Sequence, residues 1–426
     1  MPVVVAEPSR ELPLVAVTVA FRVGAVHDPL GKAGLSRMVV RMLRRGCSGM
    51  TAEQIDDRID VLGAELGAGV GLGSTTVHVE FLKRSLGPVT ELLGQLLTLP
   101  TFEPEELGRL RRQTEAEIVE SRDNDAFLAS RALRRQMFAG HPHGVRVGGT
   151  LPTVRGIERD DVVRFHTAHY SRANALLGIS GDLAASEVDT LAAELLGRLP
   201  EGKPTAYAVP PPTAPNGRNL VLVDKPDRSQ TQMMVGTLGT HPHDDDHVAL
   251  LVANTAFGGT FTSRLVQEIR AKRGWSYGAS SQLGSGRVRD TFALWCAPSA
   301  DDAAACLALQ LELLGVWCDA GISDEELEFC KSYLKRSYAF EIDTPKKRVG
   351  QGLERALLEL PDDYHQRFVE RVLDVTREQA SSAVRTRIDP SRLWVSVVGT
   401  EAVIGPPIRA AIPGLGQTVV LPHDYE

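Results

Sequence analysis

Apolar positions along this chain change period from one segment to the next. Leu14–Val23 is an almost continuous apolar run of strand length, the pattern of a strand buried on both faces. Val77-His78-Val79-Glu80-Phe81 alternates instead, which predicts a strand with one wet face. Leu35, Met38, Val39, Met42 and Leu43 recur at i, i+3, i+4, i+7 and i+8, the stripe of an amphipathic helix. Strand-rich segments followed by helix-rich ones predict an α+β fold rather than a regularly alternating βαβ chain.

The pattern occurs twice. Glu105-Glu106-Leu107 opens a charged helical segment after Pro104, and 220 residues later Glu325-Glu326-Leu327 opens another after Asp324. Pro104 and Asp324 both suit a helix start. At the same offset Ser171-Arg172 precedes the apolar run Ala175–Ser180, and Ser391-Arg392 precedes Leu393–Val398; each run ends at a glycine, Gly181 or Gly399. Ordered matches at a common offset predict two homologous domains, each a mixed, mostly antiparallel sheet layered with helices. Between them, Gly202–Arg218 carries Pro204, Pro210, Pro211, Pro212 and Pro215, too many prolines for a helix or a central strand. The expected division is therefore residues 1–205, a proline-rich linker at 206–218, and residues 219–426.

Composition narrows the function classes. A net charge of −7 gives no basic footprint for nucleic acid. No uninterrupted apolar stretch reaches the roughly 18 residues that a membrane helix needs, and residues 1–13 lack the basic-then-apolar order of a signal peptide. Cys47, Cys296, Cys306, Cys318 and Cys330 form no CxxC pair, so reduced, packed thiols in a cytoplasmic protein are expected.

Two segments carry chemistry. In the first, Gly24-Ala25-Val26-His27-Asp28 leads to Gly34-Leu35-Ser36-Arg37-Met38-Val39-Val40-Arg41-Met42-Leu43. It resembles the zinc-motif helix of the insulinase and mitochondrial processing peptidase family, and the resemblance covers almost the whole chain. In active members the motif is H-x-x-E-H. Its histidines hold zinc from one helix face, its glutamate activates the bound water, and a glutamate about 76 residues further on completes the site. Aligned on Gly34-Leu35, the histidine positions are Arg37 and Arg41, the general base is Val40, and the remaining ligand is Glu117. Arginine stays protonated and has no lone pair for a cation, and valine takes no proton. No metal is expected in this chain. A pairing of Arg37 or Arg41 with Glu117, the guanidinium replacing the metal's charge, competes with three separately solvated side chains.

The second segment runs Gly258-Gly259-Thr260-Phe261-Thr262-Ser263-Arg264-Leu265, then Glu268-Ile269-Arg270, then Gly274-Trp275-Ser276-Tyr277. It is similar to the family segment in which an arginine and a tyrosine seven residues later face the zinc. Arg270 and Tyr277 have that spacing, with a helix expected to end near Arg270, a turn at Gly274 and a strand opening at Tyr277. A guanidinium offers forked donors to substrate oxygens, and a tyrosine hydroxyl can donate to a developing oxyanion. Taken from the residues alone, Arg270 reads as a charge closing a helix and Tyr277 as a packed strand aromatic; the functional reading comes from the resemblance.

The resemblance implies the zinc-less subunit of a heterodimeric metalloendopeptidase, inactive alone. Its partner would be an H-x-x-E-H homologue carrying zinc, and Arg270 and Tyr277 would act on an unfolded peptide in an enclosed chamber of the pair. A non-catalytic scaffold or peptide-binding module of the same fold is the alternative. A third reading places a metal in His241-Pro242-His243-Asp244-Asp245-Asp246-His247, whose acids equally suit the start of the following helix. His141-Pro142-His143-Gly144 and His78 are expected to be structural, and Gly258-Gly259 lacks the Lys-Ser/Thr of a phosphate loop.

Overall fold

The computed structural model describes residues 3–426. The first half of the chain forms β1 (Val3–Pro8), β2 (Leu14–Phe21), α1 (Leu35–Met42), α2 (Ala52–Val61), β3 (Ala64–Val70), β4 (Thr75–Leu82), α3 (Leu86–Thr98) and α4 (Pro104–Glu120), then α5 (Asp125–Met137), α6 (Leu151–Arg155), α7 (Arg159–His169), β5 (Ala175–Gly181) and α8 (Ala185–Arg198). The second half forms β6 (Arg218–Asp224), β7 (Gln232–Leu238), α9 (His247–Phe257), β8 (Ala279–Leu283), β9 (Thr291–Cys296), α10 (Ala303–Ala320) and α11 (Asp324–Glu341), then α12 (Pro345–Leu358), α13 (Phe368–Asp374), α14 (Arg377–Arg387), β10 (Leu393–Gly399), α15 (Glu401–Ala410) and β11 (Leu415–Pro422). One sheet has the order β1-β5-β2-β4-β3 and the other β11-β6-β10-β7-β9-β8, so the first five strands recur in the same spatial order with β11 added at one edge. Each sheet is mixed and mostly antiparallel: β1 runs parallel to β5, and β6 parallel to β10 and β11, while the remaining pairs are antiparallel.

The compact units are not the two halves of the sequence. Unit 1 comprises Met1–Ile118, Val145–Ala208 and Ala339–His365, and unit 2 comprises Val119–Gly144, Val209–Tyr338 and Gln366–Glu426. Thus α5 belongs with the second sheet and α12 with the first, where a contiguous division at the proline-rich stretch assigned each helix to its own half. Helical periodicity shows that a helix has an apolar face, but not which sheet will cover it. Residues 203–215 carry neither helix nor strand, as the prolines dictate.

In unit 1, Val15, Val17, Val19 and Phe21 of β2 and Val77, Val79 and Phe81 of β4 face α1, α3 and α8, which contribute Leu35, Met38, Val39, Leu93 and Leu191. The opposite sheet face, with Ala20 and Leu176, takes Val349 and Leu353 of α12. Gly178 permits that approach, because a Cβ there would lie 2.7 Å from both Val349 and Leu353. In unit 2 the core gathers around Trp317 of α10, stacked 4.4 Å from Phe257 and 5.5 Å from Phe292. Its other sheet face, with Val221, Val223 and Val398, packs on Leu128, Ala129 and Leu133 of α5. Gly236 of β7 plays the corresponding part, since a Cβ there would meet Leu133 at 2.8 Å.

α10 is long and apolar enough to cross a membrane, with mean hydropathy 1.4 over Ala303–Ala320. Gln310 and Glu312 interrupt its apolar run, and Cys306, Leu307, Leu311, Leu314 and Trp317 bury its inner face in the unit 2 core. All five cysteines are free and buried.

Candidate functional site

α1 is placed by its N-terminus. Gly34 has φ +96°, and a Cβ there would lie 3.0 Å from the Gly149 backbone, so glycine is required both by conformation and by space. The Asp28 carboxylate accepts hydrogen bonds from the backbone N–H groups of Gly34 and Ser36, each 2.8 Å. Burial pushes its pKa up to about 6, against the opposing pull of those N–H donors. With Leu35, Met38, Val39 and Met42 committed to the core, the helix turns Arg37 and Arg41 toward α4.

α4 begins at Pro104 with Glu105 and Glu106 in its first turn and buries Leu107, Leu110, Thr114 and Ile118, which leaves Glu117 facing the arginines. Arg41 grips Glu117 with both terminal nitrogens, Nη2 to Oε1 at 2.7 Å and Nη1 to Oε2 at 2.9 Å. Arg37 Nη2 donates to the same Oε2 at 2.9 Å. Arg41 Nη1 also donates to Thr114 Oγ1 at 3.1 Å, fixing the fork against the helix. Side-chain exposures of 35%, 22% and 32% for Arg37, Arg41 and Glu117 make the cluster half-buried. Burial acts to raise the Glu117 pKa, but the hydrogen bonds and charges of Arg41 and Arg37 outweigh it and hold the carboxyl below its ordinary value. Val40 lies in the core at 3% exposure.

Zinc does not fit this arrangement. Arg37 and Arg41 supply donors only, and both oxygens of Glu117 are already engaged. The charge sum is nevertheless that of a metal centre: two guanidinium groups on one carboxylate leave one excess positive charge, as a divalent ion with one carboxylate and two neutral imidazoles would. The cluster supplies neither a Lewis acid nor a bound water.

Unit 2 holds the second constellation. After α9, Leu265 and Ile269 anchor a wide helical turn, Val266–Ala271, in the core. Its Lys272 N–H donates to Gln267 O at 3.0 Å, an i→i−5 bond of the kind found in helix bulges. Arg264 fixes the start of the turn through two 2.6 Å bonds to Glu326. The turn ends at Ala271, Gly274 reverses the chain at φ +67°, and β8 opens at Ala279, two residues beyond Tyr277. Tyr277 is 89% exposed, and the Arg270 guanidinium carbon lies 4.7 Å from its ring centroid. Phe261, to which sequence alone gives no role, stands 6.0 Å from the same guanidinium and is 79% exposed. An aromatic following Gly258-Gly259 was the available sign of it.

The segment His241–His247 does not offer a metal site, because two of its three carboxylates are taken and the third, Asp245, is exposed. Asp244 pairs with Arg289 at 3.2 Å and Asp246 with Arg387 at 2.8 Å, while His247 Nδ1 meets Thr240 Oγ1 at 2.7 Å. Among the described residues no group of three or more His, Cys, Asp or Glu is placed to hold a metal ion. His143 is buried beside Phe138, and burial lowers its pKa to about 4. His78 lies across from Gly67 in the β3–β4 register.

Residues 3–151 match the family described as Insulinase (Peptidase family M16), and residues 156–334 match the Peptidase M16 inactive domain. An "Uncharacterized zinc protease" of Rickettsia bellii is 24% identical over 323 residues, covering 75% of this chain and 77% of that one. A "Non-peptidase homolog YmxG" of Helicobacter pylori is 20% identical over 399 residues, covering 93% and 92%. The crystal structure of a peptidase M16 inactive domain from Pseudomonas fluorescens superposes with a TM-score of 0.87 at 25% identity, covering 93% and 95%. With two matching sheets and both family models matched in order along it, the chain belongs to the insulinase family of M16 peptidases, as a peptidase-like member of the inactive type.

Proposed function

We propose that the chain is the zinc-free subunit of a two-chain peptidase, and that it lends Arg270 and Tyr277 to the active site of a homologous H-x-x-E-H subunit. The observation that carries this reading is the Arg270–Tyr277 pair, held at 4.7 Å on an anchored turn with the tyrosine 89% exposed, in a chain whose own metal position is closed by Arg37, Arg41 and Glu117. A packed structural aromatic would be covered, and this one projects. In the pair, Arg270 would orient an unfolded peptide through its carbonyl or carboxylate oxygens, and the Tyr277 hydroxyl would donate to the oxyanion. The zinc, carried by the partner, would supply the activated water.

The test is peptide cleavage by a zinc-bearing homologue as this chain is added. The expected result is activity that saturates near one-to-one and falls roughly 10²–10³-fold in kcat with Tyr277→Phe, the usual cost of an oxyanion donor. Unchanged activity with Arg270→Ala and Tyr277→Phe together would instead make the chain a scaffold of the complex.

A further inference from the structure

The closed metal position is not electrostatically quiet. Arg37 uses only Nη2 on Glu117, and its Nη1 and Nε have no hydrogen-bond partner among the described residues. One net positive charge therefore stands on α1 beside an unused guanidinium edge. Arg41, which shares Glu117 with Arg37, also lines a half-open cavity of about 390 Å³. The cavity lining combines apolar side chains, Val40, Leu66, Val77 and Leu96 among them, with Arg44 and with Asp56, whose carboxylate Arg44 neutralises at 2.6 Å. That volume lies in the range of roughly 300–1,000 Å³ typical of ligand sites. Leu66 belongs to β3, which among the described residues pairs only with β4 and ends the sheet; apart from Leu66 O, met by Arg44 Nη1 at 3.5 Å, its outer edge offers main-chain donors and acceptors to an extended chain.

We infer that the degenerate metal position is a carboxylate-binding site for a peptide segment in extended conformation, with an internal Asp or Glu side chain on Arg37 and a neighbouring aliphatic side chain in the cavity. Charge complementarity selects the acid: the cluster lacks one negative charge, and a carboxylate matches the forked donors of Arg37 bidentately. The cavity selects the apolar neighbour. Glu117 acts as an internal competitor, occupying Arg41 in full and Arg37 in part.

The site lies within this chain, so it is tested without any partner. The probe is a rhodamine-labelled decapeptide of Val, Thr and Leu with one central Glu, capped at both ends, beside its Gln twin. Binding to the full chain is followed by fluorescence anisotropy at low salt. The Glu peptide is expected to bind about fivefold or more tightly than the twin, the effect of a partly screened charged hydrogen bond. Arg37→Gln should bring the ratio to about one by weakening the Glu peptide more than its twin, and Glu117→Gln should raise the ratio. Arg37→Lys, which keeps the charge and loses the fork, should fall between. Equal affinities in the unaltered chain, a ratio that survives Arg37→Gln, binding only by peptides with a free C-terminus, or no saturable binding of either peptide would each overturn the inference. Loss of activity in a mixed complex bears on the subunit role alone.

Discussion

Replacing Glu117 with Gln removes the carboxylate on which Arg37 and Arg41 converge. The variant keeps the shape of the side chain and one acceptor, so Arg41 retains one of its two bonds and the new amide N–H groups face guanidinium donors. Three charge-assisted bonds of 2.7–2.9 Å are weakened or lost, and two positive charges are left without their anion. A fully buried pair broken in this way costs ~3–5 kcal/mol, and an isolated surface pair ~0–1 kcal/mol. With 32% of the Glu117 side chain exposed, water screens part of the loss, and the expected cost is about 1–2 kcal/mol, between those limits. For a unit of this size that corresponds to a fall in Tm of roughly 2–8 °C. Urea and thermal unfolding followed by far-UV circular dichroism measure it. Tryptophan fluorescence alone would not, because Trp275, Trp295, Trp317 and Trp394 all belong to unit 2. A double-mutant cycle with Arg41→Gln should return a coupling of about 1 kcal/mol. The deficit should shrink as salt rises and as pH falls. Because the folded carboxyl lies below its ordinary value, its contribution is present above the unfolded-state pKa and disappears as pH drops through the folded one. A loss below about 0.5 kcal/mol, the range of ordinary surface changes, would refute the idea that the cluster replaces the metal as a tie between α1 and α4.

Three further outcomes are expected. Burial holds His143, His169 and His247 near pKa 4. The unfolded chain therefore binds more protons between about pH 6.5 and 4. Stability should decline as pH falls through that window, and urea midpoints against pH should show a shallower slope in His247→Asn. Gly178→Ala and Gly236→Ala should each destabilise by about 1–3 kcal/mol through overpacking against α12 and α5, measurable as lower unfolding midpoints; unchanged midpoints would mean that these helices do not sit tightly on their sheets. The combined change Arg37→His, Val40→Glu and Arg41→His, with Glu117 kept, should bind one zinc per chain by atomic absorption. Failure to bind would show that α1 and α4 no longer hold the ligand spacing.

Much of the fold follows from local pattern. The apolar runs became β2, β5 and β10, the alternating segment became β4, and the 3.6-residue stripe became α1. These correspondences hold because strand and helix periods are set by the backbone itself. The 220-residue offset is realised in α4 and α11. That Arg37, Val40 and Arg41 offer neither a lone pair to a cation nor a base was equally legible, since side-chain chemistry of this kind does not depend on surroundings.

Tertiary structure decided the rest. Which sheet covers α5 and which covers α12 depends on where a glycine opens space, at Gly236 and Gly178, and on apolar faces that many partners could satisfy. That Arg37 and Arg41 share Glu117, 76 residues beyond Arg41, depends on the packing of α1 on α4. That Tyr277 projects while Arg270 and Phe261 gather beside it depends on the wide turn after Leu265. Sequence fixes what each side chain can do, because that is covalent and local; whether two side chains meet, and whether water lies between them, is set by packing among distant segments.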